Sequence, residues 1–549
     1  MELTKFQQHE RVNDTISEPS LPLLSIDELP QLIDLRDHLP VAIQSRLGED
    51  DIVAHISTPN IQRSRQRPAA LREMLRLTKA SSSDDIGESG AALASLASLE
   101  NSTVAELRKY ETPHGRDALE IARKLHEHHP KLLRATILEL AQSQGLEYEE
   151  YRKGEPVRQE QPGKIILLDR GTTHDTGTAD PMAQKFSKRL NWGWPFYGSI
   201  DATPSYIQAI HTYAMQHNAS ILAEPYIGKD GQERTVADSL ALATHWLQER
   251  LAENPEGLLE FKNLDPTGKG IDSQAWKDSA FAYVHADGSR ANYNNGIASV
   301  EVQALAYDAL IDSAELYAAT NPAHADQLRQ QAEQLRERIL AEFWIDDPKK
   351  GGYFALATDR DEQGNLRQLA VRTSNMGRLL NSRLLEGDGP DETFLRESIV
   401  RQLFRPELLH HSGIRTLASD EVAFRAGSYH TGSVWLWDTA YVADGLERQG
   451  YEMLAWELRS RIWRTVYDTN SFPEFVNGNT DDSIETNPHE IYVWNTTHQV
   501  LHLFEQPPQE IQGWTVSAIL AAKYGYKAYL SNPKPISDFE QAISASIYN

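Results

Sequence analysis

The chain has 549 residues, a formal net charge of −25 and no cysteine. That charge repels phosphate backbones and anionic headgroups over most of the surface, which argues against nucleic acid and acidic membranes as partners. The lack of thiols removes disulfides, thiolate metal sites and cysteine nucleophiles. The N-terminus, MELTKFQQHERVNDTISEPS, has no apolar stretch of signal-peptide length, and no later run reaches the roughly 18 apolar residues of a membrane span. A soluble, cytoplasmic protein is the expectation.

Residues 1–110 are polar, interrupted by proline and serine (SEPSLPLL, SSSDDIGESGAALASLASLEN), and show no sustained period. They are set apart as an N-terminal extension of undefined fold, and 111–549 as one helical domain. From about 115, DALEIARKLHEHH and KLLRATILELAQSQG carry Leu, Ile and Ala at helical spacing on either side of Pro130, a first helix pair.

Further helices arrive in couples. Thr203 and Pro204 supply an N-cap and first-turn signal ahead of the stripe Tyr206, Ile207, Ile210, Tyr213 and Ala214. Val236, Leu240, Ala243, Leu247 and Leu251 form its neighbour. The next couple spans about 297–319 and 323–343, parted by Pro322. Couples at about 375–385 with 391–403 and 431–447 with 451–467 follow, then two helical stretches near 488–504 and 510–523. GGYFALATD and NLRQLAVRT flank a turn at 360–364 and predict one β-hairpin.

A repeated helix couple buries its apolar stripe against neighbours in either an open solenoid or a closed ring. Short connections alternate here with long glycine- and aromatic-rich ones at 254–296, 345–374, 404–430 and 468–487, and no motif recurs at fixed period. Both observations favour the ring. The expected fold is mainly α, an (α/α)6 toroid whose long loops gather at one mouth.

Two of those loops carry a carboxylate in an aromatic setting: Asp278 in WKDS and Glu474 in NSFPEFVNG. Hydrolysis of a glycosidic bond needs one carboxyl to protonate the leaving oxygen and another to activate water on the opposite face. Taken alone, Asp278 reads better as a helix-capping or ion-paired residue and Glu474 as a solvated one.

The motifs WKDS, FPEFVNG, YGSIDATPSYI, FWIDDPKKGGYFALATD, RTSNMGRLL, GSVWLWDTAYVADGL and QGWTVSAILAA, together covering about 195–525, resemble the amylo-α-1,6-glucosidase domain of bacterial glycogen-debranching-like proteins. The resemblance implies an inverting glycoside hydrolase of α-linked glucosyl residues, with Asp278 as general acid and Glu474 as general base. It also implies sugar contacts from Asp201 and from Trp435, Trp437 and Asp438. Larger members carry a β-sandwich before the toroid, whereas the first 160 residues here do not read as strands. A sugar linked to a small organic acid is the second substrate class, favoured by a basic residue such as Arg170, Arg290 or Arg415 in the pocket. A non-catalytic sugar-binding protein is the third reading.

An acid that stays protonated near neutrality belongs in a partly desolvated wall, for which Trp276 is the candidate, with Lys277 facing away. Asp201 reads equally as a cap of its own helix. Trp435 and Trp437, two apart on a helix, are not expected to share a face. Arg415, His430, Trp494 and Trp514 complete the candidate mouth. No cofactor or metal is expected: His498 and His502 lack a third ligand, and DRDEQG places Ala370 where a calcium loop requires its bidentate Glu.

Overall fold

The structure is a computed structural model describing residues 114–170, 181–469, 471–486, 491–495, 500–504, 508, 512–531 and 534–548. The N-terminal extension and its boundary therefore lie outside the described residues, as do residues 171–180.

The helices are α1 (Gly115–Leu125), α2 (Pro130–Gln142), α3 (Pro181–Leu190), α4 (Ala202–Gln216), α5 (Val236–Leu251), α6 (Val300–Tyr317), α7 (Pro322–Phe343), α8 (Asn375–Arg378), α9 (Pro390–Leu403), α10 (Leu436–Arg448), α11 (Glu452–Thr469), α12 (Gly513–Ser531) and α13 (Asp538–Tyr548). Contacts run from α1 to α4, α6, α8, α10 and α12 in turn and from α12 back to α1, which closes a ring of six. The helix following each ring member in a couple (α2, α5, α7, α9, α11 and α13) packs outside the ring, on its own partner or, for α13, on α11. This is the (α/α)6 toroid.

Residue pattern separates the two layers. In α6 most positions are buried, including Glu301, Gln303, Asp308 and Asp312, because neighbours cover this helix on several sides. In α7 burial is confined to Ala325, Leu328, Ala332, Leu335, Ile339 and Phe343, one stripe facing inward. Local signals set the ends: a reciprocal capping box between Thr235 and Asp238 starts α5, and Asn321 caps α7 with Pro322 in its first turn. Thr203 does not cap α4, which begins earlier at Ala202; its hydroxyl accepts the Ile165 N–H at 2.9 Å. At the start of α1, a Cβ on Gly115 would lie 2.0 Å from the Ile166 carbonyl oxygen, so only glycine allows this approach.

The strands are short: β1 (Pro225–Ile227), β2 (Glu233–Thr235), β3 (Ala298–Ser299), β4 (Trp344–Asp347), β5 (Gly351–Phe354), β6 (Ala357–Arg360), β7 (Leu366–Gln368), β8 (Leu409–His410), β9 (Gly413–Ile414), β10 (Val434–Trp435), β11 (Phe475–Val476), β12 (Ile491–Asn495) and β13 (Val500–Phe504). The expected hairpin is β6–β7, turning through 361–364, with β3 completing a three-stranded sheet.

Two helical expectations are corrected. Ile491–Asn495 and Val500–Phe504 pair as the antiparallel strands β12 and β13, because IYVWN and VLHLF are β-branched and aromatic runs whose apolar content fits either period. The sixth couple is instead α12 with α13. The stretch 375–385 is one α-turn followed by 3₁₀ turns at Leu379–Asn381 and Arg383–Leu385. Among the described residues no helix is long and apolar enough to cross a membrane.

Candidate active site

The first turns of the ring helices meet at one mouth. Arg116 and Asp117 open α1, Asp201 precedes α4, Trp435 precedes α10 and Trp514 opens α12. Arg116 Nε donates to Asp201 Oδ2 at 2.7 Å, and Trp514 Nε1 reaches the Asp117 carbonyl oxygen at 3.4 Å. Helix N-termini gathered in this way favour negative charge, and Asp117 and Asp201 stand at two of them.

Asp278 stands on the loop between α5 and α6, its side chain 37% exposed and its Oδ2 3.7 Å from Arg116 Nη1. Arg116 also donates to the Gln274 carbonyl at 3.3 Å, tying the loop to α1. Burial works against the Arg116 cation, yet Asp201, Asp278 and Asp117 together raise its pKa above the ordinary value. Asp201 accepts additionally from the Ser199 hydroxyl at 2.6 Å and makes no side-chain cap for α4, so its role here is to hold Arg116.

Glu474 is 4% exposed and accepts from the Tyr429 hydroxyl at 2.6 Å. Its loop is held from several sides. Phe475 and Val476 pair with Trp435 and Val434 in β10–β11, and Thr515 donates to the Pro473 carbonyl at 2.8 Å. Arg415, 2% exposed, gives its guanidinium to the carbonyls of Gly478 (2.8 Å), Asn479 (2.8 Å), Pro406 (2.8 Å) and Leu409 (2.9 Å) and pairs with Asp482. Arg415 thus positions the Glu474 loop, its guanidinium committed to backbone carbonyls rather than to a ligand.

Asp117 connects the two carboxylates. Burial pushes its carboxyl up to about 7; Arg116 opposes this, while Asp278, Asp201 and Glu474 add to it. A carboxyl half-protonated near neutrality thus lies within electrostatic reach of both Asp278 and Glu474. The desolvated carboxyl expected at Asp278 is found at Asp117, because Asp278 stands on an open loop and Asp117 in a packed helix turn.

Aromatic rings build the floor. Trp437 stacks on Trp514 with centroids 4.3 Å apart, and Trp276 meets Trp435, Trp437 and His430 edge-on. Trp435 and Trp437 do reach one cluster, since Trp435 ends β10 and precedes the helix rather than lying within it. All four tryptophans are 6% exposed or less, so these rings are walls packed against each other more than open stacking plates. His430 is buried; burial, then Lys277 and Arg116, hold its imidazole well below the usual range, so it is neutral. Its Nδ1 accepts from the Ser279 N–H, which leaves the proton on Nε2, a buried atom without a hydrogen-bond partner among the described residues. Trp276 Nε1 is likewise open. Trp494 lies on β12, and its side chain is outside the described residues, as are His498 and the His502 side chain.

Asp438 is fully buried and does not line the mouth. It faces Arg378 and Lys277, and burial raises its pKa against both. Lys277 points away from Asp278, as expected: its ammonium donates to the Thr416 carbonyl at 2.7 Å, and burial pulls it down to about 8. Aspartate and tryptophan at a helix start look the same in sequence whether they contact a ligand or brace the floor. Arg290 braces the loop carrying Asp278, donating to the Ala280 carbonyl and Asp272 at 2.7 Å each, and Arg170 is buried. Sequence reasoning missed Arg116, Asp117 and Tyr429. The dipeptide Arg116-Asp117 ahead of an apolar stripe carried the same signal that singled out Asp201.

One group of side chains among the described residues has metal-ligand spacing, His211, Asp312 and Glu315. It sits toward the far ends of α4 and α6, and Arg383 already pairs with both carboxylates.

The chain is similar to the solved structure of a GH63 mannosylglycerate hydrolase from Thermus thermophilus in complex with glucose: 13% identity, TM-score 0.48, covering 80% of this chain and 100% of that one. The same enzyme with Tris and D-glycerate gives 14% identity and a TM-score of 0.49, with the same coverage. No curated protein matches the sequence. The family described as "Mannosylglycerate hydrolase MGH1-like glycoside hydrolase domain" matches residues 211–497, just over half of the chain, a stretch containing both Asp278 and Glu474. The glycoside hydrolase expected from the sequence is thus shown, without the debranching subclass; the chain belongs to the MGH1-like glycoside hydrolase family.

Proposed function

We propose that the protein hydrolyses an α-linked glycoside of a small hydroxy acid, mannosylglycerate or glucosylglycerate, with inversion at the anomeric carbon. The observation that carries this is the family match across the stretch holding both carboxylates. Asp278 gives its proton to the departing glycerate oxygen, and Glu474 takes a proton from the water that attacks the other face of the sugar. The Tyr429 hydroxyl keeps the Glu474 carboxylate aimed. Arg116, between Asp201 and Asp278, orients the acid, and Asp117 supplies a nearby proton at neutral pH.

The test is incubation of the full chain with mannosylglycerate, glucosylglycerate, maltose, isomaltose and branched dextrin, following the first-formed anomer by NMR. The expected result is β-sugar and glycerate from a glycosylglycerate. Asp278→Asn and Glu474→Gln each lower turnover about 10²–10⁴-fold while the protein stays folded. Release of the α-anomer refutes inversion. Cleavage of isomaltose or dextrin with no action on either glycosylglycerate returns the debranching-type substrate.

A further inference from the structure

A cavity of about 630 Å³ opens beside the loop that carries Asp278. Gln274, four residues before Asp278, forms one wall; Gln161 and Lys164 from the segment before α3 and Arg250 from the end of α5 form others. Neither Asp278, Glu474, Asp201 nor Arg116 lines it. Its size is that of an ordinary small-molecule site.

Its charges are uneven. Glu253 is paired with Arg250, and Glu260 with Arg360 at 2.7 Å. Lys164 is 2% exposed, and its ammonium has no hydrogen bond or ion pair among the described residues; the Trp246 ring lies 6.0 Å away. Burying an amine is costly, and burial, helped by Arg250 and opposed by Glu253, pulls this one down to about 7. Two amides beside it are half used. The Gln161 side-chain carbonyl accepts from Trp246 Nε1 at 2.7 Å, leaving its NH₂ group open. Gln274 Nε2 donates to Gln159 and to the Lys262 carbonyl, leaving its own oxygen open.

We propose that this cavity is a second binding site, for a small hydroxylated monocarboxylate, with Lys164 pairing with the carboxylate and the Gln161 and Gln274 amides meeting hydroxyl groups. The other charged groups of the lining are Glu253 and Glu260, each paired with an arginine, Arg250 itself, and the exposed Lys262. Bound, the lysine must be charged, so binding takes up a proton above neutral pH and weakens as pH rises.

The probe is sodium D-gluconate, titrated calorimetrically into the full chain at pH 7, 8 and 9. The expected result is one site whose affinity falls about tenfold from pH 8 to pH 9. Binding is lost in Lys164→Met, kept in Asp278→Asn, and at least tenfold weaker for propionate, which lacks hydroxyls. No heat at 10 mM gluconate overturns the proposal, as do binding that survives Lys164→Met and binding that disappears in Asp278→Asn, which would place the ligand in the mouth. Equal affinity for propionate overturns the hydroxylated class. Should Lys164→Met fail to fold, the wild-type pH series still decides, because an affinity that is flat from pH 7 to 9 excludes Lys164 as the partner.

Discussion

Replacing Asp117 by asparagine tests the electrostatics of the mouth directly. The folded protein holds this carboxyl near 7 against 3.8 in an unperturbed chain. Between those values the folded state binds a proton that the unfolded state has released, so the contribution of Asp117 to stability falls as pH rises from about 4 to 7 and is flat above. At ~1.4 kcal/mol per pH unit the full cost to the ionised form is about 4 kcal/mol. Asp117 keeps part of its surface in water, so about half of that, ~2 kcal/mol, is expected. An asparagine side chain at this position has the same shape and no charge to bury. Asp117→Asn therefore melts within error of wild type at pH 4.5 and about 2 °C higher at pH 8.5, at about 1 °C per kcal/mol in a chain this long. Differential scanning fluorimetry of the two proteins side by side measures it. A variant that is less stable at pH 8.5, or a difference that does not change with pH, refutes the picture of a desolvated carboxyl between Asp278, Asp201 and Glu474.

Three further outcomes follow from the loop that bears Glu474. Tyr429→Phe removes the 2.6 Å hydrogen bond to Glu474 and lowers kcat about tenfold with little change in KM, read by steady-state kinetics on the proposed glycosylglycerate substrate. Arg415→Met leaves four backbone carbonyls of two loops without their donor; thermal unfolding shows a loss of ~2–4 kcal/mol, and activity falls further than stability does. Gly478→Ala puts a Cβ 1.9 Å from the Gly432 carbonyl oxygen, so the loop bearing Glu474 shifts and kcat drops in a protein that still folds; unchanged kcat would show that this contact does not position Glu474.

What the sequence determined by itself was local. The stripe Leu328, Ala332, Leu335, Ile339 and Phe343 has the period of a helix with one wet face, and α7 buries those residues. Loop lengths alternated as a ring of couples requires, and the turn of β6–β7 was written in its Asp and Gly residues. Where apolar residues ran together, as in IYVWN and VLHLF, period could not separate strand from helix, and partners decided for β12–β13.

The site divides along the same line. That Asp278 and Glu474 sit on long mouth loops was legible, because glycine, proline and aromatic content mark such loops. Which charged residues face a ligand was decided by tertiary structure, since burial depends on chain hundreds of residues away. Asp438 and Arg415 have the composition of a binding site, yet one is sealed in beside Arg378 and Lys277 and the other is consumed by backbone carbonyls. Asp117 looked like an ordinary first-turn carboxylate until ring closure brought α1 against α12 and α4 and set it among Arg116, Asp201, Asp278 and Glu474. Lys164 likewise reads as a surface lysine, and only packing beside α5 takes it out of water.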